Sequence, residues 1–361
     1  MVISVQLGAR SYDIVVERGA LGSIGARLRA LGVGSRAAVF TDPAIARLYG
    51  KTVVESLTAA GFTVSMVELP EGEAAKTPAV AAQGWDACVA AGLDRSSTVL
   101  ALGGGAIGDL AGFVSATYMR GTNFVQLPTT VLAQVDASSG GKTALDHPKG
   151  KNMIGAFHQP RLVVVDTVTA DTLPPREYRS GLAEVVKHGI VLEAAYFEDV
   201  EASADALAAR EPETVQRIVA GSCRLKASIV ERDELESSLR MVLNYGHTIG
   251  HAIEAATGYA QLTHGEAVSL GMAAEAALAV RLGVATAATR ERQERLLARL
   301  GLPIRMAAVD PALVLEAMTR DKKARNGRVP VVLAPEIGRF TIAEHVGADD
   351  VRAALADIVA R

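Results

Sequence analysis

The sequence predicts an α/β amino-terminal part followed by a mainly α-helical carboxy-terminal part. Short runs rich in Val, Ile and Leu alternate with helical stretches over the first half. After about Asp171 such runs become rare, and Ala, Leu and Glu recur at helical spacing. Between the two textures stands Thr172-Leu-Pro-Pro, whose paired prolines end regular structure. A chain of 361 residues exceeds one ordinary core, so the expected domains are 1–171 and 172–361.

Val2–Leu7 and Asp13–Val16 read as paired strands. Arg36–Thr41 is a buried strand that ends at the Asp42-Pro43 turn. A helical stretch leads to a strand at Thr63–Leu69, and Ala79–Ala91 follows as an amphipathic helix. Thr98–Leu102 is a short apolar strand running directly into glycines, and Asn123–Leu127 and Leu162–Asp166 supply two more strands. Strands alternating with helices imply a parallel sheet covered on both faces. In the second part, helices are expected over Ser180–Glu198, Ser203–Ala208, Pro212–Asp233, Gly246–Thr257, Gly265–Leu282 and Ala287–Leu300. A small hairpin joins Val329–Ala334 to Arg339–Ile342. There is no internal repeat.

The formal charge of −3 and the scarcity of aromatics give neither a field nor a stacking platform for nucleic acid. The two cysteines, Cys88 and Cys223, lie far apart in no metal-ligand spacing, which fits a reducing compartment. No signal peptide and no membrane-length apolar run is seen, so a cytoplasmic protein is expected.

VLALGGGAIGDLAG sets Gly103, Gly104, Gly105 and Gly108 after a strand and at the start of a helix. Such a turn lets a pyrophosphate approach the backbone at a helix N-terminus, and it also occurs as a plain strand-to-helix turn. Asp109 follows and suits a hydroxyl. Gly141-Lys142-Thr143 resembles the end of a P-loop, but Asp136 stands where that motif needs glycine. Lys142 and the KGKN stretch remain as cations in a glycine-punctuated loop, where functional groups concentrate. NYGHTIGHAIE puts His247 and His251 one helical turn apart on one face. They are paired ligands, a ligand with a proton shuttle, or satisfied core histidines, and His264 and Glu266 lie close behind. GLAEVVKHG places Glu184 and Lys187 on one face of an otherwise apolar helix. A carboxylate there is either part of a surface ion pair or buried with a cation partner. A carboxylate and two imidazoles suit a catalytic zinc.

Taken together, GGGAIGDLAGFVSATYMRG, QLPTTVLAQVDASSGGKTALDHPKGKNMIGAFHQP, SGLAEVVKHG, LNYGHTIGHAIE and LTHGEAVSLGM resemble the 3-dehydroquinate synthase family of the sugar phosphate cyclases. The resemblance spans most of the chain in the right order. It implies a Rossmann-like domain, a helical domain, an active site in the cleft between them, and a homodimer. Glu184, His247 and His264 match the family's metal ligands, for zinc or cobalt, and His251 matches a substrate-contacting, proton-handling residue. NAD contacts match Asp42, Glu73, Lys76, Gly104, Gly105, Asp109, Thr129 and Thr130, with Lys142 and Lys151 also on the cofactor side. Substrate contacts match Asp136, Lys142, Lys151, Asn152, Lys187, Lys226, Arg240, Asn244 and one of Lys322 or Lys323. Arg120 resembles a residue that reaches the neighbouring subunit's phosphate site. Tyr245 and His158 look like tolerated variation.

The implied reaction converts 3-deoxy-D-arabino-heptulosonate 7-phosphate to 3-dehydroquinate and phosphate, in the shikimate pathway to aromatic amino acids. It runs through transient oxidation by NAD, phosphate elimination, reduction and an intramolecular aldol closure. Three rivals stand beside it. Another sugar phosphate cyclase would not need Lys226, Arg240, Asn244 and His251 for a carboxylated substrate. A metal-dependent polyol dehydrogenase would not need Lys142, Lys151 and Asn152 for a phosphate. A catalytically dead binding protein would not retain the metal and proton-handling residues.

Overall fold

The computed structural model describes residues 1–258, 261–319 and 329–360. Lys322 and Lys323 lie outside the described residues. The chain forms two compact units, Met1–Leu173 with Lys226–Leu235, and Pro174–Leu225 with Glu236–Arg361.

The first unit is built on a seven-stranded sheet. Its strands are β1 (Val2–Val5), β2 (Tyr12–Glu17), β3 (Arg36–Thr41), β4 (Thr63–Glu68), β5 (Thr98–Gly103) and β6 (Asn123–Pro128). A hairpin of β7 (Lys142–His147) and β8 (Gly150–Phe157) stands outside it, and β9 (Leu162–Asp166) completes it. The order is β1-β2-β9-β6-β5-β3-β4, antiparallel only between β1 and β2. The helices are α1 (Ile24–Ala30), α2 (Pro43–Ile45), α3 (Lys51–Ala59), α4 (Pro78–Ala90) and α5 (Gly105–Thr117).

Period-two alternation divides the strand side chains between two cores. Ala37 and Val39 of β3, with Leu100 and Leu102 of β5, meet Ile24 and Leu28 of α1 and Val53 and Leu57 of α3. Ala38, Phe40, Val99 and Ala101 point the other way, onto Cys88 of α4 and Ile107, Leu110 and Val114 of α5. Each large side chain so buried contributes about 1.5–3 kcal/mol, and burial on both faces explains why the middles of these strands are apolar throughout.

The second unit holds α6 (Pro175–Leu192), α7 (Ala194–Ala202), α8 (Ala204–Ala208) and the greater part of α9 (Pro212–Arg232). It continues with α10 (His247–Ala256), α11 (His264–Arg281), α12 (Ala287–Arg299), α13 (Pro311–Thr319) and α14 (Ala348–Asp357). The small hairpin joins β10 (Val331–Leu333) to β11 (Thr341–Ala343). Ile249 and Ile253 of α10, Leu270 and Leu278 of α11, Val314, Leu333 and Leu355 form one core.

Two expectations need correction. The helix expected over Ser180–Glu198 is two helices, broken at Glu193, whose φ of −156° and ψ of 114° are extended. The break folds α7 back on α6, where Gly189 admits the Phe197 backbone to 2.9 Å of where a Cβ would stand. The KGKN stretch, expected as loop, lies in the β7–β8 hairpin. Leu145 anchors that hairpin in the core and Thr143 Oγ1 donates to the Ala156 carbonyl. Lys142 therefore opens a strand, where a P-loop lysine would open a helix.

Candidate metal centre and nucleotide site

In the first unit the chain runs from β3 outward to β4, then returns to place β5 on the other side of β3. The direction of winding thus reverses between β3 and β5, and parallel sheets bind ligands beyond the carboxyl ends of the strands at such a point. Asp42 directly follows β3, Glu73 follows β4, Gly104 and Gly105 follow β5, and Thr129 and Thr130 follow β6. The sequence candidates for the cofactor thus gather past four strand ends.

Gly104 caps α5 without a side chain, so the first N–H groups of that helix face outward from the turn. A Cβ at Gly104 or Gly105 would stand 3.3 Å from Thr130 Cγ2 or Ala137 Cβ, narrowing the approach. Gly108 has a packing task instead, since its Cβ would meet Gln126 at 2.9 Å. Thr129 Oγ1 is buried without a hydrogen-bond partner, and Asp42 Oδ1 accepts from the Ala44 and Ile45 N–H groups. These features fit a bound dinucleotide.

Lys76 is a buried hub beside this turn. Its ammonium pairs with Asp109 Oδ2 at 2.8 Å and Asp146 Oδ1 at 3.8 Å, and it donates to Asn152 Oδ1. Asp146 also accepts from the Asn152 N–H at 2.8 Å, holding that residue at a left-handed φ of 55°. The sequence reading missed Asp146. Lys151 stands 3.7 Å from Glu73, and Lys142 is exposed. Lys226 is buried and pairs with Asp136 Oδ1 at 2.6 Å. Arg120 is exposed on a turn in which Met119, Arg120 and Gly121 all have positive φ.

The second unit gathers Glu184, Lys187, His247, His251 and His264. Glu184 and Lys187 are 0% and 1% exposed, which removes the surface ion-pair alternative. Lys187 Nζ pairs with Glu184 Oε2. His247 Nε2 and His264 Nε2 lie 3.3 and 3.5 Å from Glu184 Oε1, yet neither carboxylate oxygen receives an aligned hydrogen bond. Zinc bonds of about 2.0–2.1 Å in a tetrahedron separate neighbouring ligand atoms by about 3.3 Å. The observed spacing fits a divalent metal better than direct hydrogen bonding.

His247 Nδ1 lies 3.1 Å from the Tyr245 carbonyl, which only accepts, so the proton sits on Nδ1 and Nε2 keeps its lone pair. Burial, reinforced by Lys187, holds the His247 pKa below its ordinary value and favours the neutral ligating form. Burial pushes the Glu184 carboxyl up, but Lys187 and the two facing histidines outweigh it and hold the group well below the usual range. The His251 ring centroid lies 5.1 Å from that of His247 and 5.7 Å from that of His264. All three imidazoles offer nitrogens within 4.8 Å of one another.

Close helix contacts impose this geometry. A Cβ at Gly265, one residue into α11, would fall 1.9 Å from the Ser180 carbonyl of α6. Gly246 starts α10 at φ 77°, and a Cβ there would meet Met272 Cγ of α11 at 2.5 Å. His264 opens α11 inside a capping box. Thr263 Oγ1 accepts from Glu266 N, Glu266 Oε2 accepts from Thr263 N at 2.9 Å, and Arg176 grips the carboxylate at 2.8 and 2.6 Å. Glu275 is fully buried in α11 and accepts from Gly246 N at 2.6 Å and Ile249 N at 3.3 Å. The sequence reading passed over Glu275, although a lone carboxylate among alanines is the signal that singled out Glu184. Arg240 is buried, and Asn244 Nδ2 is buried without a hydrogen-bond partner. His188, in the same motif as Glu184, faces Ser222 Oγ at 2.6 Å.

Residues 66–180 match a family model described as 3-dehydroquinate synthase N-terminal, and residues 181–324 one described as 3-dehydroquinate synthase C-terminal. A 3-dehydroquinate synthase of Geobacter metallireducens is 50% identical over 340 residues, covering 94% of each chain. One of Microcystis aeruginosa is 47% identical over 347 residues, covering 95% of this chain and 94% of the relative. Among solved structures, the 2-epi-5-epi-valiolone synthase ValA of Streptomyces hygroscopicus, described with NAD+ and Zn2+ bound, aligns with a TM-score of 0.88. It is 28% identical and 96% of each chain is covered.

Replacing His264 with alanine should abolish stoichiometric zinc, whereas His251→Ala should retain it. Metal analysis after gel filtration checks both, and loss of zinc from His251→Ala would move that residue into the ligand set. Arg176 hydrogen bonds hold the Glu266 carboxyl below its ordinary pKa, with burial opposing. The stability this contributes is complete above about pH 4.3 and is lost as pH falls through the depressed value. Glu266→Gln should therefore be less stable than the parent near neutrality, and the gap should shrink on acidification. Urea unfolding across that range reads it.

Proposed function

The chain belongs to the 3-dehydroquinate synthase family, and from that premise we propose the reaction it runs and the residues that carry each part. It converts 3-deoxy-D-arabino-heptulosonate 7-phosphate to 3-dehydroquinate and inorganic phosphate, as a phosphate-eliminating lyase. The observation that carries this most is the buried carboxylate–imidazole group of Glu184, His247 and His264, with Lys187 against it. At 50% identity to a named synthase, against 28% to a valiolone synthase, the other cyclases are the weaker reading.

When bound, the metal supplies Lewis acidity at a substrate hydroxyl, and NAD supplies a reversible hydride acceptor. Glu184, His247 and His264 hold the metal. Asp42, Glu73, Lys76, Gly104, Gly105, Asp109, Thr129 and Thr130 hold NAD, helped by Lys142 and Lys151. Both helix N–H bonds to Asp42 use Oδ1, which leaves Oδ2 for a ribose hydroxyl. The N–H groups that open α5 suit the pyrophosphate.

Lys142, Lys151 and Asn152 bind the substrate phosphate. Arg240 binds the carboxylate through two parallel N–H bonds, and Lys226, pre-oriented by Asp136, adds the second positive charge. Asn244 Nδ2 donates to a substrate oxygen, which relieves a buried donor worth about 1–3 kcal/mol when unpaired. Asp136 accepts from a hydroxyl. Lys187 compensates the Glu184 charge and turns its remaining N–H groups to the substrate. His251 takes up and returns a proton at a ring nitrogen. Arg120 serves the phosphate site of a second copy in a homodimer.

Cys88 and Cys223 are both buried and in no disulfide, which supports a reducing, cytoplasmic setting. No helix among the described residues is long and apolar enough to cross a membrane.

The test is release of inorganic phosphate from the heptulosonate phosphate with NAD in catalytic amount. Release should occur without net NADH, stop after chelation and return with zinc or cobalt. No release under any metal condition, or NADH accumulating with product, contradicts the proposal.

A further inference from the structure

The bonds around Gly246 form a continuous line from a second carboxylate to the first histidine of α10. Glu275 Oε2 accepts from Gly246 N–H at 2.6 Å, and the Tyr245 carbonyl accepts from His247 Nδ1–H at 3.1 Å. That N–H and that carbonyl are the two ends of one peptide group. Resonance across the amide couples them, because a carboxylate drawing on the N–H increases negative charge on the carbonyl oxygen. The stronger acceptor in turn firms the Nδ1–H bond and enriches the imidazole in electrons at Nε2. Histidines that ligate metals commonly give their other N–H to a carboxylate or a carbonyl, which fixes tautomer and orientation. Here one peptide is inserted between carboxylate and ring.

Capping alone does not explain the charge. Glu275 is 0% exposed, and a buried carboxylate costs several kcal/mol before compensation. The N-terminus of α10 returns part of that through its dipole and the Ile249 N–H at 3.3 Å, but a neutral amide oxygen would accept the same bonds at a lower desolvation cost. The Tyr245 side chain is also pinned, its hydroxyl donating to Gln293 Oε1 at 2.6 Å. Both neighbours of the Tyr245–Gly246 peptide are thus held in place.

We propose that Glu275 is a positioning residue of the metal centre, acting through the Tyr245–Gly246 peptide to orient His247 and strengthen Nε2 as a metal donor. The proposal rests on the reading of His247 as a ligand. It separates charge from capping, because Glu275→Gln keeps a carbonyl oxygen for the Gly246 N–H and removes the charge.

The full chain is stripped of metal, and zinc affinity is measured by competition with a chromophoric chelator for the parent, Glu275→Gln and Leu355→Ala. Leu355 lies in the core of the same unit and reports general loss of stability. Glu275→Gln should bind zinc about 10–100-fold more weakly, with its cobalt d–d bands shifted, while Leu355→Ala binds as the parent does. Equal affinities in Glu275→Gln and the parent, or an equal loss in Leu355→Ala, overturn the relay and leave the ligand assignment standing. A parent chain that binds no metal overturns both. If Glu275→Gln does not fold, nitrogen NMR of the metal-free parent decides. His247, identified by its missing signals in His247→Gln, should carry its proton on Nδ1, and a proton on Nε2 overturns the relay.

Discussion

The helical unit is organised around a carboxylate that water does not reach. Glu184 is fully buried, and an uncompensated charge there would cost several kcal/mol. Lys187, one turn along the same helix, supplies one compensating charge, and His247 and His264 face the other oxygen. Losing one partner from such a buried pair costs about 3–5 kcal/mol, so the site and the stability of the unit are joined.

Holding those groups together requires helices closer than ordinary side chains allow. Gly265 brings α11 onto α6 and Gly246 brings α10 onto α11, each where a Cβ would collide with backbone or a core side chain. The two helices that begin with a histidine of this group each have their N-cap backbone N–H taken by a glutamate of α11, Glu266 for α11 itself and Glu275 for α10. His247 and His264 are thus each the first residue of a helix whose start is fixed by a carboxylate. The nucleotide side uses a different economy. There an uncapped helix end and a reversal in strand order leave backbone donors for an anion.

Much of this was legible in the residues. The interiors of β3, β5 and β9 are continuous apolar runs, which double-sided burial favours, so their positions could be read directly. Glu184 and Lys187 stood out because an apolar helix has no cheap place for charge. The β7–β8 hairpin escaped notice because Gly150 and Lys151 look like loop, and what orders them is Leu145 in a core formed from distant residues. The break at Glu193 depends on Phe197 fitting against Gly189, a contact that helical periodicity does not encode. Spacing left His247 and His251 as equal partners. The fold shows instead that His247 and His264, seventeen positions apart by number, share one oxygen of Glu184. Glu275 acts across a helix interface, so no local pattern announces its partner. Lys226–Leu235 joins the first unit although its sequence continues a helix of the second.

The central claim is that one divalent metal binds Glu184, His247 and His264. Anomalous scattering at the zinc edge from crystals of the zinc-loaded chain tests it most directly. One strong peak is predicted at about 2.0–2.2 Å from a Glu184 carboxylate oxygen, His247 Nε2 and His264 Nε2. A peak bonded to His251 in place of Glu184 or His264, or no peak at this group, would contradict the account.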